Sequence, residues 1–175
     1  MKKSIIMSCR IEEDMKKLLD EESELQQISA NSLINKVLKR HFEWERFTQE
    51  IGMIYVSKSV FRIILSKLDE KDIKLLAASS CRTSLRDATL YIKKEFNVKT
   101  ILETFDMWLA ASHISFRHTT FDNKEKYVIQ HELGKKYSTY LHSALGALLS
   151  EVNTTIRNPS LNEHSLSFEI EKTPN

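Results

Sequence analysis

Residues 4–42 read SIIMSCRIEEDMKKLLDEESELQQISANSLINKVLKRHF. Up to Ile11 polarity alternates. Ile5, Met7, Cys9 and Ile11 share one face of an extended chain, and Ser4, Ile6, Ser8 and Arg10 share the other. From Glu12 the period changes. Glu12, Glu13 and Asp14 suit the positive end of a helix, and Met15, Leu18 and Leu19 recur at helical spacing. A polar stretch runs to Ile28, Ser29 is a good N-cap, and Leu33, Ile34, Val37, Leu38 and Phe42 continue a second helix. The pattern predicts a strand, a helix, a turn and a helix reaching about Gln49. A strand this short needs a partner. It either pairs with the same strand of a second chain or forms the edge of a larger sheet, and alternation alone fits both.

The order and lengths of these elements resemble the ribbon-helix-helix family, which includes the Arc and Met repressors. That resemblance implies a homodimer whose two strands form a ribbon of the right width for the DNA major groove. It makes Ile6, Ser8 and Arg10 the residues that read bases. Arg10 can donate two hydrogen bonds to a guanine, Ser8 can donate or accept, and Ile6 offers only apolar contact, as to a thymine methyl. Lys2 and Lys3, with Ser29, Ala30 and Asn31 at the start of the second helix, become the phosphate contacts. Two positions depart from the family. Its frequent turn glycine is replaced within Leu25-Gln26-Gln27, and its frequent proline after the strand is Glu12. A pair of dimers on adjacent half-sites suits so small a reading head.

Charge limits how such a module would bind. Residues 1–50 carry 9 basic and 10 acidic side chains, residues 51–100 carry 10 and 5, and residues 101–175 carry 7 and 9. The N-terminal quarter therefore lacks a general basic surface, and its bases are local: Lys2, Lys3 and Arg10, then Lys36, Lys39 and Arg40. The whole chain, 41% hydrophobic and 29% charged with a net charge of +2, has a globular composition. No apolar run reaches the ~18–20 residues of a membrane helix. The start MKKSIIMSC turns acidic too soon for a signal peptide, so the expected location is cytoplasmic. Cys9 and Cys81 are then reduced thiols, and Cys9 reads as a small buried apolar residue.

Beyond residues 1–50, residues 51–97 read as a helical connector. Gly52 marks a break, Met53–Val56 is β-prone, Ser57 or Ser59 caps a helix containing Phe61, Ile64 and Leu65, and Asp69 or Asp72 starts the next. Residues 98–175 read as α-β-β-α-β-β. A helix over 98–112 precedes two alternating strands around Phe116 and Tyr127, joined at Asp122-Asn123-Lys124. A long helix carries Tyr137, Leu141, Leu145 and Leu149. A short strand over Thr154–Arg157 then leads through a turn at Asn158-Pro159-Ser160 to a last strand with Leu166, Phe168 and Ile170. An α+β domain with an antiparallel sheet and helices on one face is the economical packing. With HELGKKYSTYL after its second strand, this half is similar to the C-terminal domain of uncharacterised archaeal proteins that also begin with a ribbon-helix-helix. Its topology resembles, distantly, sensor folds that include haem–nitric oxide-binding and vinyl-reductase-like domains.

Chemistry is sparse in this half. Histidines 113, 118, 131, 142 and 164 all lie here, yet their spacings match no zinc or nickel signature and no cysteine joins them. The dense His/Cys set of nickel-responsive ribbon-helix-helix regulators is missing, so neither a metal nor a cofactor is expected. His118 and His131 read as neighbours on paired strands, and Arg117, His118, His131 and Tyr137 are the candidate effector site. With no nucleophile motif, phosphate loop or paired-carboxylate constellation, the chain reads as a non-enzyme. The leading reading is a sequence-specific transcription regulator that binds double-stranded DNA as a homodimer, its C-terminal domain serving oligomerisation or effector sensing. The alternative is a protein-interaction or antitoxin-like scaffold whose N-terminus only dimerises. A third class is a haem or small-molecule sensor that does not read DNA.

Overall fold

The computed structural model describes residues 5–171. They divide between Glu43 and Trp44 into two compact units. The protein is α+β, with a single four-stranded antiparallel sheet among the described residues.

The first unit is a helical hairpin, α1 (Glu13–Leu25) and α2 (Ala30–Glu43). Residues 5–12 form no element, so the strand predicted there is absent from the single chain. A lone strand has no ladder to satisfy its backbone. The turn explains the missing glycine. Gln27 itself takes the left-handed conformation (φ +54°), and the Ile28 N–H closes on the Ser23 carbonyl at 3.0 Å. Ser29 caps α2 as expected, accepting from the Ser32 N–H at 3.1 Å. The second helix ends earlier than its periodicity predicts. Trp44 leaves helical geometry (φ −137°, ψ −59°) and is buried, and a 3₁₀ turn, Glu45–Phe47, follows.

The second unit begins with that turn. Residues 53–57 are irregular, so the β-prone Met53–Val56 forms no strand. Ser57 caps α3 (Lys58–Lys67), and Asp69 caps α4 (Glu70–Ser80) by accepting from the Asp72 N–H at 2.8 Å. The helical path runs on through a π turn, Cys81–Arg86, into α5 (Asp87–Lys93), and stops where Lys94 turns left-handed. Asn97 and Thr100 form a reciprocal capping box at the start of α6 (Val98–Ala111). Residues 51–97 thus do not stand apart as a connector: α4 packs along α7, and Leu65, Ala77 and Cys81 join the core of the sheet.

The remaining elements follow the predicted order: β1 (Ser115–Phe121), β2 (Lys124–Gln130), α7 (Lys135–Ser150), β3 (Ile156–Leu161) and β4 (Ser165–Glu171). The spatial order is β1-β2-β4-β3, all antiparallel. Alternation fixes the faces. Tyr127 and Ile129 of β2 and Leu166, Phe168 and Ile170 of β4 are buried with Phe105 and Leu109 of α6 and Leu141, Leu145 and Leu148 of α7. One predicted turn is displaced. Asn158-Pro159-Ser160 lies inside β3 as an irregularity between Arg157 and Ser160, with Asn158 at φ +48°. The edge position of β3 tolerates a proline that donates nothing to the ladder. The reversal itself comes at Asn162, whose N–H reaches the Ser165 carbonyl at 2.9 Å.

Candidate functional site

In the first unit the predicted base readers all face solvent: Ile6 is 100% exposed, and Ser8 and Arg10 are exposed too. Arg10 makes no hydrogen bond or ion pair to any described residue, so its guanidinium is available to a partner. Lys2 and Lys3 lie outside the described residues. Ser29 and Asn31 are exposed and Ala30 is half-buried at the start of α2. Of the bases on α2, Lys36 bonds the Gln26 side chain at 2.9 Å and Lys39 pairs with Glu43 at 3.9 Å. The face expected to be buried is not. Ile5 (87%), Met7 (73%), Met15 (55%) and Leu18 (59%) are exposed, as are Cys9, Ile11, Val37 and Leu38. Only Ser23 and Leu33 are buried on the two helices. The unit therefore presents an extensive apolar surface in the single chain.

In the second unit the candidate effector residues are not brought together. Arg117 faces out beside Val128, whereas His118 faces in opposite Tyr127. His131 lies beyond the end of β2, so it is no neighbour of His118: the last β1–β2 pair is Ser115 with Gln130. His131 is instead a buried structural residue. Its Nδ1 accepts the Leu133 N–H at 3.3 Å, which leaves Nε2 to donate to Ser138 Oγ at 2.8 Å. Ser138 in turn donates to the carbonyls of Asn162 and Ser165. Tyr137 packs edge-on against His131, ring centres 4.9 Å apart, and burial pushes its phenol pKa up.

Burial and the neighbouring His164 hold the His131 pKa below its ordinary value of 6.5, with Glu163 opposing the shift. A depressed histidine means that the unfolded chain binds the proton more readily. Its stabilising contribution is therefore complete above about pH 6.5 and is lost as pH falls from there through the folded value. His142, lowered by burial and by Lys74, acts in the same sense. The melting temperature should accordingly fall between pH 7 and pH 5, and His131→Gln should shallow that slope in a calorimetric series. A slope unchanged by the substitution would remove His131 from the account.

Sequence reading missed the most polar cluster of this unit. His118 sits between two carboxylates: Nδ1 lies 2.7 Å from Asp106 Oδ2 and Nε2 lies 3.0 Å from Glu125 Oε2. Tyr127 donates to Asp106 Oδ1 at 2.7 Å, and Thr120 donates to Glu125 Oε2 at 2.6 Å. The imidazole stacks on the Tyr127 ring at 4.1 Å. Burial, with Asp106 alongside, drives the Tyr127 phenol pKa far up, so the hydroxyl stays a donor. Each polar group here is engaged by another. The cluster pins β1 to β2 and to α6. One signal was available in the sequence: Glu125 shares the apolar alternation of Tyr127 and Ile129, and a charge on a core face needs a partner. Asp106 gave none, because only the packing of α6 on the sheet brings it there.

A cavity of about 180 Å³ lies elsewhere in this unit, between the π turn, α6 and α7. Burial, with Glu151 adding to it, raises the pKa of the Cys81 thiol on its wall, which favours its protonated form. Among the described residues no set of three or more His, Cys, Asp or Glu side chains is placed to hold a metal ion, and no helix is long and apolar enough to cross a membrane. No protein-family model, no curated protein and no solved structure matches this chain.

Proposed function

We propose that the protein is a cytoplasmic, sequence-specific DNA-binding regulator of the ribbon-helix-helix type. Its first unit is completed by a second copy of the chain. The observation that carries this reading is the exposed apolar face made by residues 5–11, α1 and α2. Fully burying one such side chain is worth about 1.5–3 kcal/mol, so leaving many in water is a large cost that dimerisation recovers. Pairing residues 5–11 with the same segment of the partner places Ile5, Met7, Cys9 and Ile11 toward the helices. It turns Ile6, Ser8 and Arg10 outward, where base edges can be read. The cap at Ser29 leaves other N–H groups of the first turn of α2 for a phosphate.

Selection of bound sequences from a random DNA pool tests function and yields the operator together. On the selected site, Arg10→Ala should cost about 1–3 kcal/mol, or roughly five- to 150-fold in affinity, with the dimer intact. Unchanged specific affinity in a gel-shift titration at fixed salt would sink the assignment of Arg10. One observation favours the rival scaffold or antitoxin-like reading: acids outnumber bases, 10 to 9, over residues 1–50. Binding to random DNA separates the two, because phosphate contacts give a steep salt dependence and a module that only dimerises gives none.

A further inference from the structure

We propose that the cavity between the π turn and helices α6 and α7 is a binding site for a small, uncharged aromatic molecule of one or two rings. Size sets the first limit. The volume is about 180 Å³, and a closed apolar cavity of about 150 Å³ takes up benzene. Drug-sized ligands need roughly 300 Å³ or more. The walls set the second. Trp44, Cys81, Leu85, Phe105, Trp108 and Tyr140 line the space, and no Asp, Glu, Lys, Arg or His does. A charged ligand would lose its hydration there and meet no counter-charge. Phe105 and Trp108, both on the wall, lie nearly parallel with ring centres 6.0 Å apart and offer aromatic surface to a planar ring.

One polar feature orients the guest. Ser80 and Tyr140 both line the cavity, and their hydroxyls share a hydrogen bond of 2.9 Å. Whichever of them donates, the pair keeps capacity for a further bond, to a phenol hydroxyl or an indole N–H. The backbone supplies an independent sign. Cys81 and Leu85 reach the cavity from the π turn, a rare helical distortion that recurs at functional sites. The site lies wholly in the second unit and its test needs no DNA, so it stands or falls apart from the reading of the first unit.

The chain's two tryptophans both line the cavity, which makes their emission a direct reporter. The full-length protein is titrated with p-cresol, and with 4-hydroxybenzoate as its charged counterpart, by calorimetry and by tryptophan emission. Saturable one-to-one binding of p-cresol is expected, with 4-hydroxybenzoate at least about tenfold weaker. Ala144→Phe, which puts a ring into the space, should abolish the signal; Ser84→Trp at the rim is a second blocking variant should the first fail to fold. No saturable p-cresol binding up to low millimolar, equal affinity for the anion, or undiminished binding in a folded blocked variant would each overturn the site.

Discussion

If the proposed dimer forms, replacing Leu18 and Val37 together by aspartate should turn it into a monomer and unfold the first unit. In the single chain these side chains are 59% and 49% exposed. Were the chain a working monomer, two such surface changes would each shift stability by no more than about 0.5 kcal/mol. If a second copy covers them, the double change forfeits their remaining burial, about 2–3 kcal/mol per chain, and strands two carboxylates in an apolar interface. The two cases therefore differ severalfold in the measured stability. Sedimentation velocity gives the mass directly, and the melting temperature of the unsubstituted protein should rise with protein concentration, as linkage to association requires. A wild-type chain that sediments as a monomer at micromolar concentration would end the dimer reading, and the DNA reading with it.

How much of this was legible in the sequence differs between the two halves for a physical reason. In the second unit each element buries a face against its own chain, so alternation in Tyr127-Val128-Ile129 and the helical stripe of Leu141, Leu145 and Leu148 report contacts that exist in one molecule. The order α-β-β-α-β-β followed from them. Errors came where a local signal lost to context. Pro159 reads as a turn, but an edge strand absorbs it in a bulge. Trp44 continues a helical stripe, but the helix stops at Glu43 and Trp44 is buried outside it. Gln27 occupies a left-handed position with no glycine to announce it. In the first unit the same patterns mark a surface that the single chain leaves exposed. Site residues were the least legible. His118 was singled out, but with Arg117, His131 and Tyr137 instead of Asp106, Glu125, Thr120 and Tyr127. Strand parity separates Arg117 from His118, and the β1–β2 register separates His131 from it.

The second large effect should come from that cluster. His118→Ala should lower unfolding free energy by about 2–3 kcal/mol, because it removes the half-buried side chain that contacts both Asp106 and Glu125. The Glu125 side chain is only 6% exposed, so water cannot readily replace the imidazole there; Asp106, at 28%, recovers more hydration. Arg117→Ala, one residue away on the outer face, should cost no more than about 0.5 kcal/mol, since that side chain is exposed. Glu125→Gln added to His118→Ala should restore part of the loss, because the amide is cheaper to keep buried beside Thr120 than the carboxylate is. The restored part measures coupling, which pairs in one network show at about 0.5–3 kcal/mol. Urea denaturation of the four proteins provides the comparison. Losses for His118→Ala and Arg117→Ala of equal size, or strictly additive effects of His118→Ala and Glu125→Gln, would show that the cluster does not act as one unit. The non-additive result would establish instead that β1, an edge strand, is held to the sheet and to α6 by this polar cluster as well as by its backbone ladder.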